Sequence, residues 1–368
     1  MTEYDLTTVT AALSRRDWDD STDGEVRFAL VGLGWWTREY VLPVLTDLDA
    51  CAATVAVSGT ASKRESVVDD WDRVETALSY EEFHEGVAVD EYDAVYVCTP
   101  NATHLDHARA AADHGKAVLC EKPMEATPER AAAMVDACER ADVPLIVAYR
   151  MQTDPAVRSL RTAVRDGLLG DPVHVHGHMS QRIGDIFPDG NWRLDPDLAG
   201  RGGSVTDLGI YPLNTTRFLL DVEPVSVRAT ASSDGELFAE IPDERASFEV
   251  TFDDGTVAQC FASQNAEFSA GLEIVGTQGS LRLAPGFFDA ETQRITLTRD
   301  GERHSVTYDP VDQMREEFAY VAHHLLRGEP VDPTGAHGVV DVATIDAIYD
   351  AAESGERVSV DTDPDPAE

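Results

Sequence analysis

The sequence predicts an α/β chain in two parts: a doubly wound parallel sheet over residues 24–150, then an α+β part over 151–360 with a large, mostly antiparallel open sheet. Three observations carry this. Up to residue 150, short and continuously apolar strands alternate with helical stretches, as when crossover helices cover both faces of a parallel sheet. The first of these strands runs straight into Gly32-Leu33-Gly34 and a helical stretch. Beyond residue 170, strand-like segments follow one another across turn signals such as Asp253-Asp254-Gly255 and Asp300-Gly301, which fits antiparallel pairing. A chain of 368 residues exceeds one ordinary core, so two domains are expected.

Residues 1–23 are expected to form a polar arm with one short helix, ending in the turn-rich DDSTDGE. Strands follow at 26–31, 53–58 and 92–98, the last ending at Thr99-Pro100. The Ala-rich HLDHARAAADHG is a helix with Gly115 as its C-cap. A strand at 117–120 runs into CEKPME. Thr127 as N-cap and Pro128 at the first helical position then open a helix through Cys138. Residues 144–149 complete the parallel set. In the second part, strands are expected at 172–180, 224–233, 245–252, 256–265, 271–276, 279–284, 293–298 and 303–308. Helices near 204–221, 311–327 and 335–354 would cover one side of their sheet. The acidic tail, 361–368, is expected to be flexible.

Composition narrows the function classes. With 68 acidic and 29 basic residues the net charge is −39, and the acids run throughout the chain instead of forming one tail. Nucleic acid and membrane surfaces are disfavoured as partners by sign alone. A surface made acidic for solubility at high salt accounts for the distribution, since at molar salt the Debye length is about 3 Å and self-repulsion is screened. The five cysteines are odd in number and form no C-x-x-C, so buried thiols are expected, with neither a disulfide framework nor a zinc site. No apolar run reaches the roughly 20 residues that span a bilayer, and no basic-then-apolar signal opens the chain. A cytoplasmic location is expected.

Five stretches carry candidate chemistry. Gly32-x-Gly34-x-x-Thr37, with Trp35 and Trp36 inside it, departs from G-x-G-x-x-G at its last place. Between a strand and a helix, such a loop lets a pyrophosphate approach and offers it unpaired N–H groups; a tight turn without a ligand is the alternative. The second strand ends in Ser58-Gly59-Thr60-Ala61-Ser62-Lys63-Arg64, with no carboxylate for a ribose and with two cations that suit a 2′-phosphate. NADP is therefore expected over NAD, a solvated helix start being the alternative for Lys63. Thr99, Pro100, Asn101 and His104 stand at a strand end of the kind that faces a ligand, with Asn101 suited to the nicotinamide ribose and a capped turn as the alternative. In the run from Gly202 to Asn214, Ser204 is the expected N-cap, Asp207 and Tyr211 share a helical face, and Pro212 is expected to disturb the helix. A carboxylate and a phenol so placed suit orienting and deprotonating a hydroxyl; a tyrosine packed over a local cap is the alternative. His174, His176 and His178 share one strand face, but no carboxylate or cysteine interleaves them, so no metal is expected. CEKPME itself holds Lys122, one of only three lysines in the chain.

Together these residues resemble the glucose–fructose oxidoreductase/inositol dehydrogenase (Gfo/Idh/MocA) family. The resemblance starts near residue 26 and rests on VGLG at 31–34, TPNATH at 99–104, CEKPME at 120–125, AYRMQTDPAVR at 148–158 and WRLDPDLAGRGGSVTDLGIYPLN at 192–214. It implies an N-terminal Rossmann domain that binds NADP and a C-terminal α/β domain whose open sheet forms a homo-oligomer interface. It implies that Lys122 lies beside the nicotinamide and the reacting carbon, that the Lys122–Pro123 bond is cis, and that Glu121, Arg150, Trp192 and Arg193 contact the cofactor. By match to sugar-oxidising members, Tyr211 is the proton acceptor, and Lys122, Arg150 and Asp207 also touch the sugar. Other members place histidine where Tyr211 stands, paired with the aspartate, so the role of Asp207 stays open. The implied activity is oxidation of a cyclic aldopentose such as D-xylose at C1 to its lactone. Another sugar or dihydrodiol dehydrogenase, or a non-catalytic dinucleotide or sugar sensor, are the alternatives.

Overall fold

The computed structural model describes Leu13 and residues 16–18, 23–187, 191–288 and 292–367. The arm expected at 1–23 lies almost wholly outside these residues. The chain divides into two compact units.

The first unit comprises Arg16–Arg150, Met314–Val339 and Pro364–Glu368. Its six strands are β1 (Val26–Val31), β2 (Cys51–Val57), β3 (Thr76–Leu78), β4 (Ala94–Val97), β5 (Ala117–Glu121) and β6 (Leu145–Ala148). They are all parallel and lie in the order β3-β2-β1-β4-β5-β6, the doubly wound arrangement with its switch point between β1 and β4. The apolar runs are explained by burial: Phe28 to Val31 and Val95 to Val97 have no exposed surface. Thr127 caps the helix Pro128–Arg140 by accepting from the Arg130 N–H at 3.3 Å. The helix Gln313–Arg327 belongs to this unit from Met314 onward. Its Phe318 ring meets Phe28 and Tyr96, with centroids 5.2 and 5.4 Å apart. The last residues also return here, where Ala367 N–H donates to the Glu129 carbonyl.

The second unit comprises Met1–Arg15, Met151–Gln313 and Val340–Asp363. Its nine strands are β7 (Pro172–Arg182), β8 (Pro224–Ser232), β9 (Arg245–Phe252), β10 (Val257–Ser263), β11 (Asn265–Gly276), β12 (Gly279–Leu283), β13 (Gln293–Arg299), β14 (Glu302–Tyr308) and β15 (Val358–Ser359). Their order is β14-β13-β12-β11-β7-β10-β9-β8-β15, antiparallel everywhere except between β7 and β10. One strand spans the expected 271–276 segment and starts at 265, because Gln264 leaves the β10 ladder and donates its N–H to the Glu244 carbonyl and the Ser204 hydroxyl. One face of the sheet is apolar and buried, with Val175, Met179, Ala258, Leu272, Ile274, Leu281, Ile295 and Leu297. A Cβ at Gly177 on that face would collide with Pro212, so the helix Ile210–Leu220 lies directly on β7. The disturbance expected at Pro212 takes the form of a π-helical turn, Val205–Gly209, just ahead of that helix. No helix among the described residues is long and apolar enough to cross a membrane.

Candidate functional site

In the first unit, β1 delivers the glycine loop. Gly32 has φ +100°, and a Cβ there would collide with the Cys98 carbonyl oxygen after β4, so only glycine fits. An added Cβ at Gly34 would meet nothing within 4 Å, which is the room a pyrophosphate needs. Thr37 is fully buried, and its hydroxyl donates to the Gly32 carbonyl at 2.7 Å. The departure from a third glycine is thus a tie that closes the loop on itself. Trp36 stacks on Tyr40 with centroids 4.4 Å apart, and the Arg150 guanidinium sits 5.1 Å from the Trp36 ring. Trp35 beside them is exposed. The loop fits a dinucleotide pyrophosphate.

At the end of β2, Ser58 Oγ accepts from the Thr60 N–H at 3.2 Å, and Arg64 donates to the Ser58 carbonyl. Lys63 is exposed and makes no ion pair among the described residues. Gly59 lies against the Tyr80 ring. No carboxylate interrupts this stretch, and its cations fit a 2′-phosphate. At the end of β4, the Thr103 hydroxyl bonds Thr99 Oγ1 and the Pro100 carbonyl, both at 2.8 Å, so the capped turn is real. Asn101 is buried there. His104 is fully buried, and its ring nitrogens face the carbonyls of Thr99 at 2.8 Å and Met124 at 3.2 Å. The ring is a strut between two loops, a use that sequence reasoning passed over.

β5 ends at Glu121. The Tyr96 hydroxyl on β4 donates to its Oε1 at 2.7 Å, and the Lys122 N–H donates to its Oε2 at 3.2 Å. The Lys122–Pro123 peptide is cis. Glu125 is buried, and it accepts from the Leu105 N–H at 3.1 Å and from Arg130 Nε at 3.0 Å. It clamps the start of the helix His104–Asp113 to the turn after Pro123. The two glutamates of CEKPME therefore fix the backbone on either side of Lys122.

In the second unit, Asp207 pairs with Arg193 Nε at 3.3 Å and accepts from Gln264 Nε2 at 2.8 Å. The Arg193 guanidinium lies 4.6 Å from the Trp192 ring. Tyr211 rests beside Phe287 and Phe288, with centroids 5.8 and 6.1 Å away. Trp192, Arg193 and Asp207 thus form one group, and Tyr211 follows one turn later. Ser204 is not the side-chain cap expected of it: its hydroxyl donates to the Glu244 carbonyl at 2.9 Å and accepts from Gln264 N–H. Asp243 takes the capping role from a distant segment, accepting from Gly203 N–H and Val205 N–H at 2.7 Å each and from the Tyr349 hydroxyl at 2.8 Å. Burial pushes the Asp243 carboxyl up, and the bonds from Val205, Gly203 and Tyr349 pull it back part of the way. Nothing local to Ser204 announces Asp243; Gly202, which makes room for it, is the only signal. The histidine row lies outward on β7, with His178 Nε2 at 2.9 Å from Ser269 Oγ.

Residues 26–149 match the oxidoreductase family with an NAD-binding Rossmann fold, and residues 157–282 match the GFO/IDH/MocA C-terminal domain. The chain is 46% identical over 356 residues to the D-xylose 1-dehydrogenase (NADP(+)) of Haloarcula marismortui, across 96% of this chain and 99% of that one. The chain belongs to the GFO/IDH/MocA oxidoreductase family. A second member, D-xylose 1-dehydrogenase (NADP(+)) 2 of Haloferax volcanii, is 34% identical across 91% of this chain and 99% of its own. Among solved structures, the aldose-aldose oxidoreductase of Caulobacter crescentus superposes with a TM-score of 0.84 at 30% identity, across 91% of this chain and all of that one. In this GFO/IDH/MocA chain the glycine loop, the β2 end and the Lys122 turn lie in the dinucleotide-binding unit. The Asp207–Tyr211 turn lies in the C-terminal domain.

Proposed function

We propose that the protein is an NADP-dependent dehydrogenase that oxidises a cyclic aldopentose, D-xylose, at C1 to the xylonolactone. The observation that carries this reading is the presence of both Lys122 after β5 and the Asp207-x-x-x-Tyr211 turn in a chain 46% identical to a xylose dehydrogenase. The bound dinucleotide would supply the hydride acceptor. Tyr211 takes the proton of the anomeric hydroxyl, and the Lys122 ammonium holds that oxygen and favours the phenolate. Asp207, oriented by Arg193 and Gln264, positions the sugar through its hydroxyls. The Lys63 and Arg64 end of β2 supports the preference for a 2′-phosphate. Arg150, with its guanidinium over Trp36, and the Trp192–Arg193 pair are proposed cofactor contacts. A cytoplasmic homo-oligomer is the proposed form.

Steady-state turnover at high KCl with NADP⁺ or NAD⁺, against xylose, arabinose, ribose, glucose and galactose, tests the reading. The expected result is the highest kcat/KM for xylose with NADP⁺, and a loss of kcat of about 100-fold or more in both Lys122→Met and Tyr211→Phe. Near-wild-type turnover in both variants would overturn the catalytic assignment. Dinucleotide binding without turnover of any aldose would point to a sensor.

A further inference from the structure

The helix Gln313–Arg327 brings a carboxyl group into the first unit that the proposed chemistry does not use. Glu317 is 2% exposed, and neither of its oxygens has a hydrogen-bond partner among the described residues. The next residue, Phe318, packs edge-on against Phe28 of β1 and Tyr96 of β4, so the helix lies over the centre of the parallel sheet. Tyr96 is the phenol that holds Glu121. The charged groups that act on Glu317 are Glu121 at the end of β5 and Arg150 just after β6, and Glu317 acts in turn on Tyr96, which also faces Cys98. A second ionised carboxylate, fully buried at Glu317 behind the half-buried Glu121, would carry a charge out of water with only the Arg150 guanidinium to oppose it, a costly arrangement. Burial first, and the Glu121 charge second, push the Glu317 carboxyl well above the usual carboxylate range, with Arg150 opposing.

We infer that Glu317 is a positioning residue: its buried, unpartnered carboxyl stays neutral behind Tyr96 and so preserves the Glu121 clamp on the strand end that bears Lys122. The inference rests on the catalytic reading of Lys122. While Glu317 is neutral, Glu121 keeps its two donors, the Tyr96 hydroxyl and the Lys122 amide. When that proton leaves as the pH rises, a second negative charge acts on Glu121. It repels the clamp and competes for the nearby cations.

The pH profile of kcat in the full-length protein tests this. Glu317→Gln keeps the shape of the neutral acid and cannot ionise. We expect it to match the wild type at neutral pH, and to run about twofold faster than the wild type at the higher pH where the wild type has lost half its rate. A profile superimposable on the wild type, or a rate lowered equally at every pH, overturns the role. Independently of turnover, carboxyl ¹³C NMR of glutamate-labelled wild-type protein is expected to show one side chain still protonated when all the others have ionised. If every glutamate titrates in the ordinary carboxylate range, the neutral buried carboxyl does not exist. If no aldose is oxidised yet that protonated carboxyl is seen, the neutral Glu317 stands and the catalytic reading alone fails.

Discussion

Asp243 anchors the turn that carries Asp207 and Tyr211, and it does so with one carboxylate on three donors. Gly202 is glycine because a Cβ there would collide with Asp243 Oδ1 and the Tyr349 hydroxyl. Asparagine at 243 would keep the size but turn an NH₂ toward at least one N–H of the cap, leaving two donors face to face. Asp243→Asn is therefore expected to destabilise the second unit by roughly 3 kcal/mol, since buried hydrogen bonds to a charged acceptor contribute about 1.5–3 kcal/mol each. Urea unfolding followed by near-ultraviolet circular dichroism would show the lowered midpoint; an unchanged midpoint would mean the cap is not what secures the turn. Lys122, Asp207 and Tyr211 were legible in the sequence because each sits in a local run of unusual residues. Asp243 and Gln264 were not, because each meets its partners across the chain, 40 residues for Asp243 with Gly203 and 57 for Gln264 with Asp207; Glu317 was not, because its burial comes from distant strands. The same reason explains Ser204, which looks like a cap from its neighbours alone and is displaced by a better acceptor from elsewhere.

At the scale of elements, the strands of both sheets were legible because burial imposes a pattern on each: continuous apolar residues in β1, β4, β5 and β6, alternation in β9 and β10. β3 escaped notice because three residues carry no period. The helix His104–Asp113 shows what pattern alone conceals. Its His107 is 4% exposed, its Nδ1 lies 3.0 Å from His84 Nε2, and its ring centroid lies 4.6 Å from that of Tyr80. Burial, then the nearby His84 and His104, lower its pKa from 6.5 to about 3. The folded chain therefore holds this ring neutral while the unfolded chain protonates it. Its contribution to stability is complete above pH 6.5 and is lost progressively as the pH falls toward 3. Between pH 6 and 4 the loss should approach about 1.4 kcal/mol per pH unit. His107→Gln removes the titration, so the difference in unfolding free energy between variant and wild type should shrink with that slope as the pH falls. A pH-independent difference in denaturant melts would show that the ring is not held neutral.

Over the whole molecule, charge imbalance outweighs any single contact. Sixty-eight acids and 29 bases leave an excess of 39 negative charges however the bases are paired, which is the net charge of −39. The arginines do pair: Arg201 alone meets Asp346, Asp350 and Glu353, while Arg27 and Arg73 meet Asp93 and Glu25. Exposed pairs of this kind contribute about 0–1 kcal/mol each, and salt weakens them. The repulsion among the unpaired carboxylates is spread over many more pairs and acts over longer distances. Salt must therefore remove more repulsion than attraction, because the Debye length falls from about 10 Å at 0.1 M to about 3 Å at 1 M and the long-range terms vanish first. The expected outcome is a Tm that climbs steadily with KCl from about 0.1 to 1 M, steepest at the low end where the Debye length changes most. An equal osmolality of sucrose acts only through exclusion from the surface and should give a smaller rise at the same scan rate. A flat or falling Tm in KCl, or an equal rise in sucrose, would show that the acidic surface is not what limits stability at low salt.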